Sequence, residues 1–243
     1  MKTKLFFAVL IFMTIFEGCT SVQAAESNEI WLILDDMSGS MGEGKGAPQQ
    51  RNVDELQRII RSAGKNTTIM VLGFGKRADV QLLKVEMPSI SGPQNKNLIV
   101  VREAAIKKLN ENLSAKINTI DRSKSGIHGA LMRASRILAE YGGAAGKKLI
   151  ILSDMLENES FILSFSRLRK AGSAEELFKT LNNKRLDFPD LKGVELHCYS
   201  SFADEKNLKT AEIETALKEL KTFWTKYFQK TEAALKSYKT SMY

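Results

Sequence analysis

The chain has 243 residues and a formal net charge of +8, from 36 Lys and Arg against 28 Asp and Glu. It contains no internal repeat, low-complexity tract or interdomain linker, which excludes a solenoid or a fibrous protein. Two cysteines are too few for a disulfide-built scaffold, and the lysines are scattered along helical segments, with no run dense enough for nucleic acid.

The first element is a targeting segment. Lys2 and Lys4 precede an apolar run over residues 5–16 broken only by Thr14, the size of a signal-peptide core and too short to span a bilayer. Val22-Gln23-Ala24 offers a cut, which makes 1–24 a signal peptide and Ala25 the first mature residue. Removing 24 residues from 243 leaves 219, and losing Lys2, Lys4 and Glu17 lowers the formal charge to +7. A competing route is lipidation of Cys19 after Phe16-Glu17-Gly18. Either route exports the protein to the periplasm or the exterior. Cys198 is then left as a buried, inert thiol.

From there, apolar runs alternate with helical spacing. A buried strand is predicted over 30–35 and a helix over 53–60. A second strand follows over 67–75, then an edge strand at 79–86, where apolar and polar residues alternate. Residues 88–93 form a loop. A helix is predicted over 97–115, with Leu98, Val101, Ala105, Ile106, Leu109 and Leu113 along one stripe. Another runs over 126–141, ended by Gly142-Gly143. Residues 149–153 are uniformly apolar, as in the centre of a parallel sheet. Helical pieces broken near Gly172 fill 161–183, and a last strand covers 193–200. A long amphipathic helix closes the chain over about 209–238. The order implies one doubly wound α/β domain over 25–243, with a mostly parallel sheet and one antiparallel edge strand.

Oxygen-bearing side chains gather where these strands end. Asp36-Met37-Ser38-Gly39-Ser40 follows the first strand, Ser125 precedes the helix at 126, and Asp154 follows the apolar strand at 149–153. Open α/β sheets bind ligands at that edge. Hydroxyls and carboxylates suit a small, hard cation, with Gly39 permitting the turn that brings Ser38 and Ser40 inward. Thr119, Asp121 and Ser123 are rivals to Ser125.

These residues resemble the von Willebrand factor A (VWA) family, and more narrowly its metal-ion-dependent adhesion site. The likeness covers nearly all of the mature chain, and it is to the exported bacterial type. It implies that Ser38, Ser40 and Ser125 hold magnesium, or manganese, directly, while Asp36 and Asp154 act mainly through water. It also implies that an acidic group of a protein partner completes the coordination, with no catalytic residue and no organic cofactor. Two positions depart from the family pattern. Serine replaces the usual threonine at 125, and Met155 stands where glycine is common, at the rim.

The same residues bear on other chemistries. Gly39 to Lys45 satisfies G-x-x-x-x-G-K, but Gly46 follows instead of Ser or Thr, and Ala47-Pro48 interrupts the next helix. A serine nucleophile would need His128 or His197 as its base. A metal-dependent hydrolase of a phosphorylated or acylated substrate is the alternative function, with Asp36 and Asp154 on the metal and Glu157 or Asp35 as base. The last helix is expected to close a sheet face with Phe223, Trp224 and Phe228. Membrane contact would need a lipid on Cys19 or docking of that helix, and the protein is expected to be a monomer.

Overall fold

Side-chain alternation along the first strand assigns the two faces of the sheet. In β1 (Glu29–Asp36), Ile30, Leu32 and Leu34 enter one core cluster and Ile33 enters the other. The same period of two divides Leu149 and Ile151 from Ile150 and Leu152 in β4 (Gly146–Ser153). The structure, a computed structural model, describes residues 28–42, 47–77, 80–89, 95–184, 186–202 and 209–241. The targeting segment with Cys19, residues 43–46 of the glycine-rich run and Asp79 lie outside them.

The described residues form a six-stranded sheet in the order β3-β2-β1-β4-β5-β6. Here β2 is Thr67–Phe74, β3 is Val80–Glu86, β5 is Val194–Ser201 and β6 is Ala234–Ser241. Only β3 runs antiparallel, at one edge. One face is covered by α1 (Pro48–Ser62) and α2 (Asn95–Lys116), through Leu56, Ile59, Ile60, Ile106 and Leu109. The other is covered by α3 (Ile127–Glu140), the short α4 (Phe165–Leu168), α5 (Ser173–Asn183) and α6 (Thr210–Lys230). The sheet is therefore doubly wound, as expected; β1, β2, β4 and β5 lie largely buried between layers, whereas β6 stays exposed to half-exposed at the edge.

Three expectations need correction. Pro48 does not interrupt a helix but begins one, because the first helical position needs no amide donor and the proline ring presets φ. Gly39 does not supply special backbone freedom: among the described residues the glycines with left-handed φ are Gly42, Gly172 and Gly193. Gly39 matters through proximity, since a Cβ there would lie 3.3 Å from the Arg122 carbonyl oxygen. The closing helix also stops early, at Lys230. Glu232 turns the chain with φ 57°, and residues 234–241 pair in parallel with β5 as an added edge strand. The i, i+3 spacing of Leu235 and Tyr238 reads as helical, but the segment pairs with the open edge of β5 as a strand, with a register shift between Leu196 and His197. Phe223, Trp224 and Phe228 are fully buried on the sheet, as expected.

Candidate metal centre

The carboxyl ends of β1 and β4 lie side by side, with Leu34 opposite Ile151 and Asp35 opposite Leu152. This brings Asp36 and Asp154 to the same edge of the sheet, at the point where the chain's crossovers change sides. Asp36 is fully buried and serves as the hub. Its Oδ1 accepts the Ser38 amide at 2.9 Å, which tightens the turn after β1. Its Oδ2 accepts two hydroxyls, Ser125 Oγ at 3.0 Å and Ser153 Oγ at 2.6 Å. Ser38 Oγ and Ser40 Oγ lie 3.0 Å apart. Ser38, Ser125 and Asp154 are nearly buried, while Ser40 is exposed at the rim.

The third loop is assembled by reciprocal bonds across the chain. The Ser125 amide donates to Asn158 Oδ1 at 2.7 Å, and the Asn158 amide returns a bond to the Ser125 carbonyl at 3.1 Å. Glu157, fully buried, accepts the His128 amide at the start of α3 on Oε2 and the amides of Glu159 and Ser160 on Oε1. A carboxylate at a helix N-terminus satisfies donors that the helix cannot. Glycines allow the remaining loop to close. A Cβ on Gly75 would lie 2.3 Å from the Asp121 carbonyl oxygen, and one on Gly126 would lie 2.7 Å from that of Lys76.

The structure brings four of the five sequence candidates into direct bonded pairs: Asp36 with Ser38 and Ser125, and Ser38 with Ser40. Asp154 follows Ser153, whose hydroxyl binds Asp36, and its own Oδ1 accepts the Leu156 amide at 2.9 Å. Among the rivals at the third position, Thr119 bonds its own helix end, and Asp121 and Ser123 bond each other on an exposed turn. Ser125 is the one that meets Asp36. Sequence reasoning missed Ser153 and Asn158. Ser153 carried a signal, a polar residue ending a fully apolar strand; Asn158 carried none, because its partner is 33 residues away.

Burial pushes the Asp36 carboxyl above its ordinary value, and the bonds from Ser153, Ser38 and Ser125 oppose that rise. A cation beside it would replace the lost solvation with its own charge. The donor set of hydroxyls and carboxylates fits a hard cation, and Ser38 Oγ and Ser40 Oγ, at hydrogen-bond distance, are near enough to share one. Among the described residues no group of three or more His, Cys, Asp or Glu side chains could hold a metal ion, so any site here depends on hydroxyls.

Other candidate groups are placed elsewhere. Met155 does not crowd the rim. It is fully buried with a left-handed φ of 61°, and its carbonyl accepts Trp224 Nε1 of α6 at 2.8 Å. His128 Nδ1 bonds the Tyr227 hydroxyl at 2.6 Å, and burial lowers its pKa. His197 bonds Ser237 on the neighbouring strand. Neither is placed to activate Ser38 or Ser40. Asp35 points to the opposite face, where Asn52 donates to it at 2.9 Å, and Glu157 is occupied by three amides. Asp35 is thus turned away from the serines, and Glu157 is committed to backbone donors. Cys198 is a buried free thiol whose pKa burial pushes up. Among the described residues no helix is long and apolar enough to cross a membrane.

No protein-family model matches the chain, and no curated protein matches it. Solved structures similar to it include the conserved hypothetical protein BatB from Bacteroides thetaiotaomicron, at 14% identity and TM-score 0.47, covering 88% of this chain and 92% of that one. A von Willebrand factor type A protein from Catenulispora acidiphila is similar at 13% identity and TM-score 0.45, over 85% of this chain and 42% of that one. An aerotolerance-related membrane protein from Bacteroides fragilis is similar at 13% identity and TM-score 0.42, over 88% and 92%. Likenesses at this level carry no argument about activity, which rests on the chain's own residues. By its own strand order, parallel but for one antiparallel edge strand, the chain has a doubly wound α/β fold, and the structures it is similar to include a von Willebrand factor type A protein.

Proposed function

We propose that this chain is an exported binding protein that holds magnesium, or manganese, at Asp36, Ser38, Ser40, Ser125 and Asp154, and through it binds an acidic side chain of a protein partner. The observation that carries the reading is the hydroxyl pair Ser38–Ser40, spaced at 3.0 Å beside a buried carboxylate that already gathers Ser125 and Ser153. The serines would bind the ion directly, and Asp36 and Asp154 would orient its waters. An ion held mainly by neutral hydroxyls keeps enough charge to attract a carboxylate. The metal supplies that attraction; the chain's residues supply the position.

Export rests on the segment at 1–24, and a lipid on Cys19 would add an anchor. Binding is favoured over catalysis because Asp35 and Glu157 are both committed to structural bonds away from the serine pair. The test is thermal melting of the full chain with magnesium and with chelator. Magnesium is expected to raise Tm in the wild type by a few °C, as a ligand of the folded state does. The same rise in Asp36→Ala, or no rise in the wild type, would overturn the site.

A further inference from the structure

We infer that two copies of this chain join through β3, pairing antiparallel about Val85 so that the two sheets become one. This pairing is independent of the metal-binding reading, and it replaces the monomer expected from sequence. β3 is the antiparallel edge of the sheet. The Met87 amide donates to the Thr67 carbonyl at 2.9 Å, and Glu86 stands opposite Thr68 and Lys84 opposite Met70. Hydrogen-bonded and non-hydrogen-bonded pairs alternate along an antiparallel ladder, so the amides and carbonyls of Lys84 and Glu86 point away from β2. Among the described residues nothing meets those groups. Beside them runs a groove of about 650 Å³, lined by residues 81–86 and, on one side, by Lys108, Asn112 and Lys116 of α2.

Unpaired backbone groups on an edge take an extended strand, and the side chains here select a second copy. The free stretch is bounded at both ends. Asn112 Nδ2 donates to the Leu82 carbonyl at 2.6 Å, and Pro88 has no amide. Outward groups must face outward groups, so a copy can centre on Lys84, Val85 or Glu86. The first register sets lysine against lysine and the last glutamate against glutamate, and like charges directly opposed are unfavourable. Centred on Val85, Lys84 and Glu86 of one copy face Glu86 and Lys84 of the other, with their amides and carbonyls exchanged and unlike charges opposed. Both side chains are exposed, and among the described residues neither is held in an ion pair; the Lys84 ammonium lies over the Tyr141 ring, 5.9 Å from its centre. Val85, half-buried against the α2 side, meets its own counterpart there. The ends match as well. Pro88 falls opposite Leu82, where the carbonyl already bonded to Asn112 needs no donor.

So short a ladder makes a weak dimer. Sedimentation velocity of the full chain, from about 1 µM to about 0.3 mM, is expected to show monomer giving way to dimer, in magnesium and in chelator alike. In Lys84→Glu the opposed pairs become acid against acid, and in Glu86→Lys base against base. Each is expected to weaken the dimer at least ~10-fold, and an equimolar mixture of the two to restore it. Mild oxidation of Val85→Cys should cross-link two copies at position 85, because residues opposed in a non-hydrogen-bonded pair set their Cα atoms about 4.5 Å apart, within reach of a disulfide. A wild type that stays monomeric at about 0.3 mM overturns the inference. A dimer that both single substitutions leave unchanged overturns it too, by placing the interface elsewhere. Failure of the mixture to restore association overturns the register about Val85.

Discussion

Asp35 and Asp36 are neighbours in sequence with opposite surroundings, because successive side chains of a strand point to opposite faces. Asp36 meets Ser38, Ser125 and Ser153. Asp35 meets Asn52 on α1, which also donates to the Leu152 carbonyl, and its Oδ2 has no hydrogen-bond partner. Burial raises the Asp35 pKa from 3.8 to about 8, against the opposing bond from Asn52, with the charge of Asp36 adding to the rise. Between those values the folded chain keeps a proton that the unfolded chain releases. Stability that is present below about pH 4 is thus lost as the pH climbs towards about 8. Asp35→Asn keeps the acceptor for Asn52 and cannot ionise. Denaturant titrations in chelator should find it more stable than the wild type at pH 8, by on the order of 1–3 kcal/mol, and little changed near pH 3.5, below the unfolded value. An equal difference at both pH values would dismiss this account.

The helices and loops act as clamps on the site. Glu157 ties the amino end of α3 to the loop after β4, and Asn158 ties that loop to Ser125. Trp224 of α6 holds the strained Met155 between them through its carbonyl. The Asp154 and Ser125 loops are therefore one bonded unit, though 29 residues separate the two. Glu157→Gln should show what that unit does. It replaces one accepting oxygen with an amide group that faces backbone donors, a loss of about 1–3 kcal/mol in urea unfolding. The magnesium-induced rise in Tm should shrink as well, since Ser125 loses its support. Full retention of that rise would mean that Ser125 is positioned by Asn158 alone.

At the scale of the molecule, parallel pairing assembles the site from segments 36–40, 125 and 154, and β6 completes the sheet from the chain's last described residues. β6 lies on the far side of β5 from β4, and β4 carries the site. Truncation after Ala233 should therefore expose one edge of β5 and spare the core strands. Hydrogen exchange is expected to quicken at least ~10-fold for the β5 amides that had bonded β6, while β1 amides stay protected. Uniform quickening across the sheet would instead make β6 part of the cooperative core.

Much of this architecture was legible in sequence, for identifiable reasons. The uniformly apolar run 149–152 ahead of Ser153 and the alternation predicted over 79–86 announced a central and an edge strand, and Gly172 broke a helix where its φ of 84° demands a glycine. The Asp36-x-Ser38-x-Ser40 turn was visible because its geometry is local, closed by a bond two residues long. Ser153 and Asn158, the turning of Asp35 to the opposite face, the binding of Glu157 to backbone amides, the burial of Met155 and the switch from helix to strand after Lys230 were decided elsewhere. Each depends on a partner tens of residues away: Ser153 on Asp36, Asn158 on Ser125, Met155 on Trp224, β6 on the open edge of β5. Periodicity and turn chemistry, which are local, were set by the sequence alone. Which face each polar group meets, and which donor it finds there, only tertiary packing could decide, because a buried hydrogen bond is made with whatever the fold brings within reach.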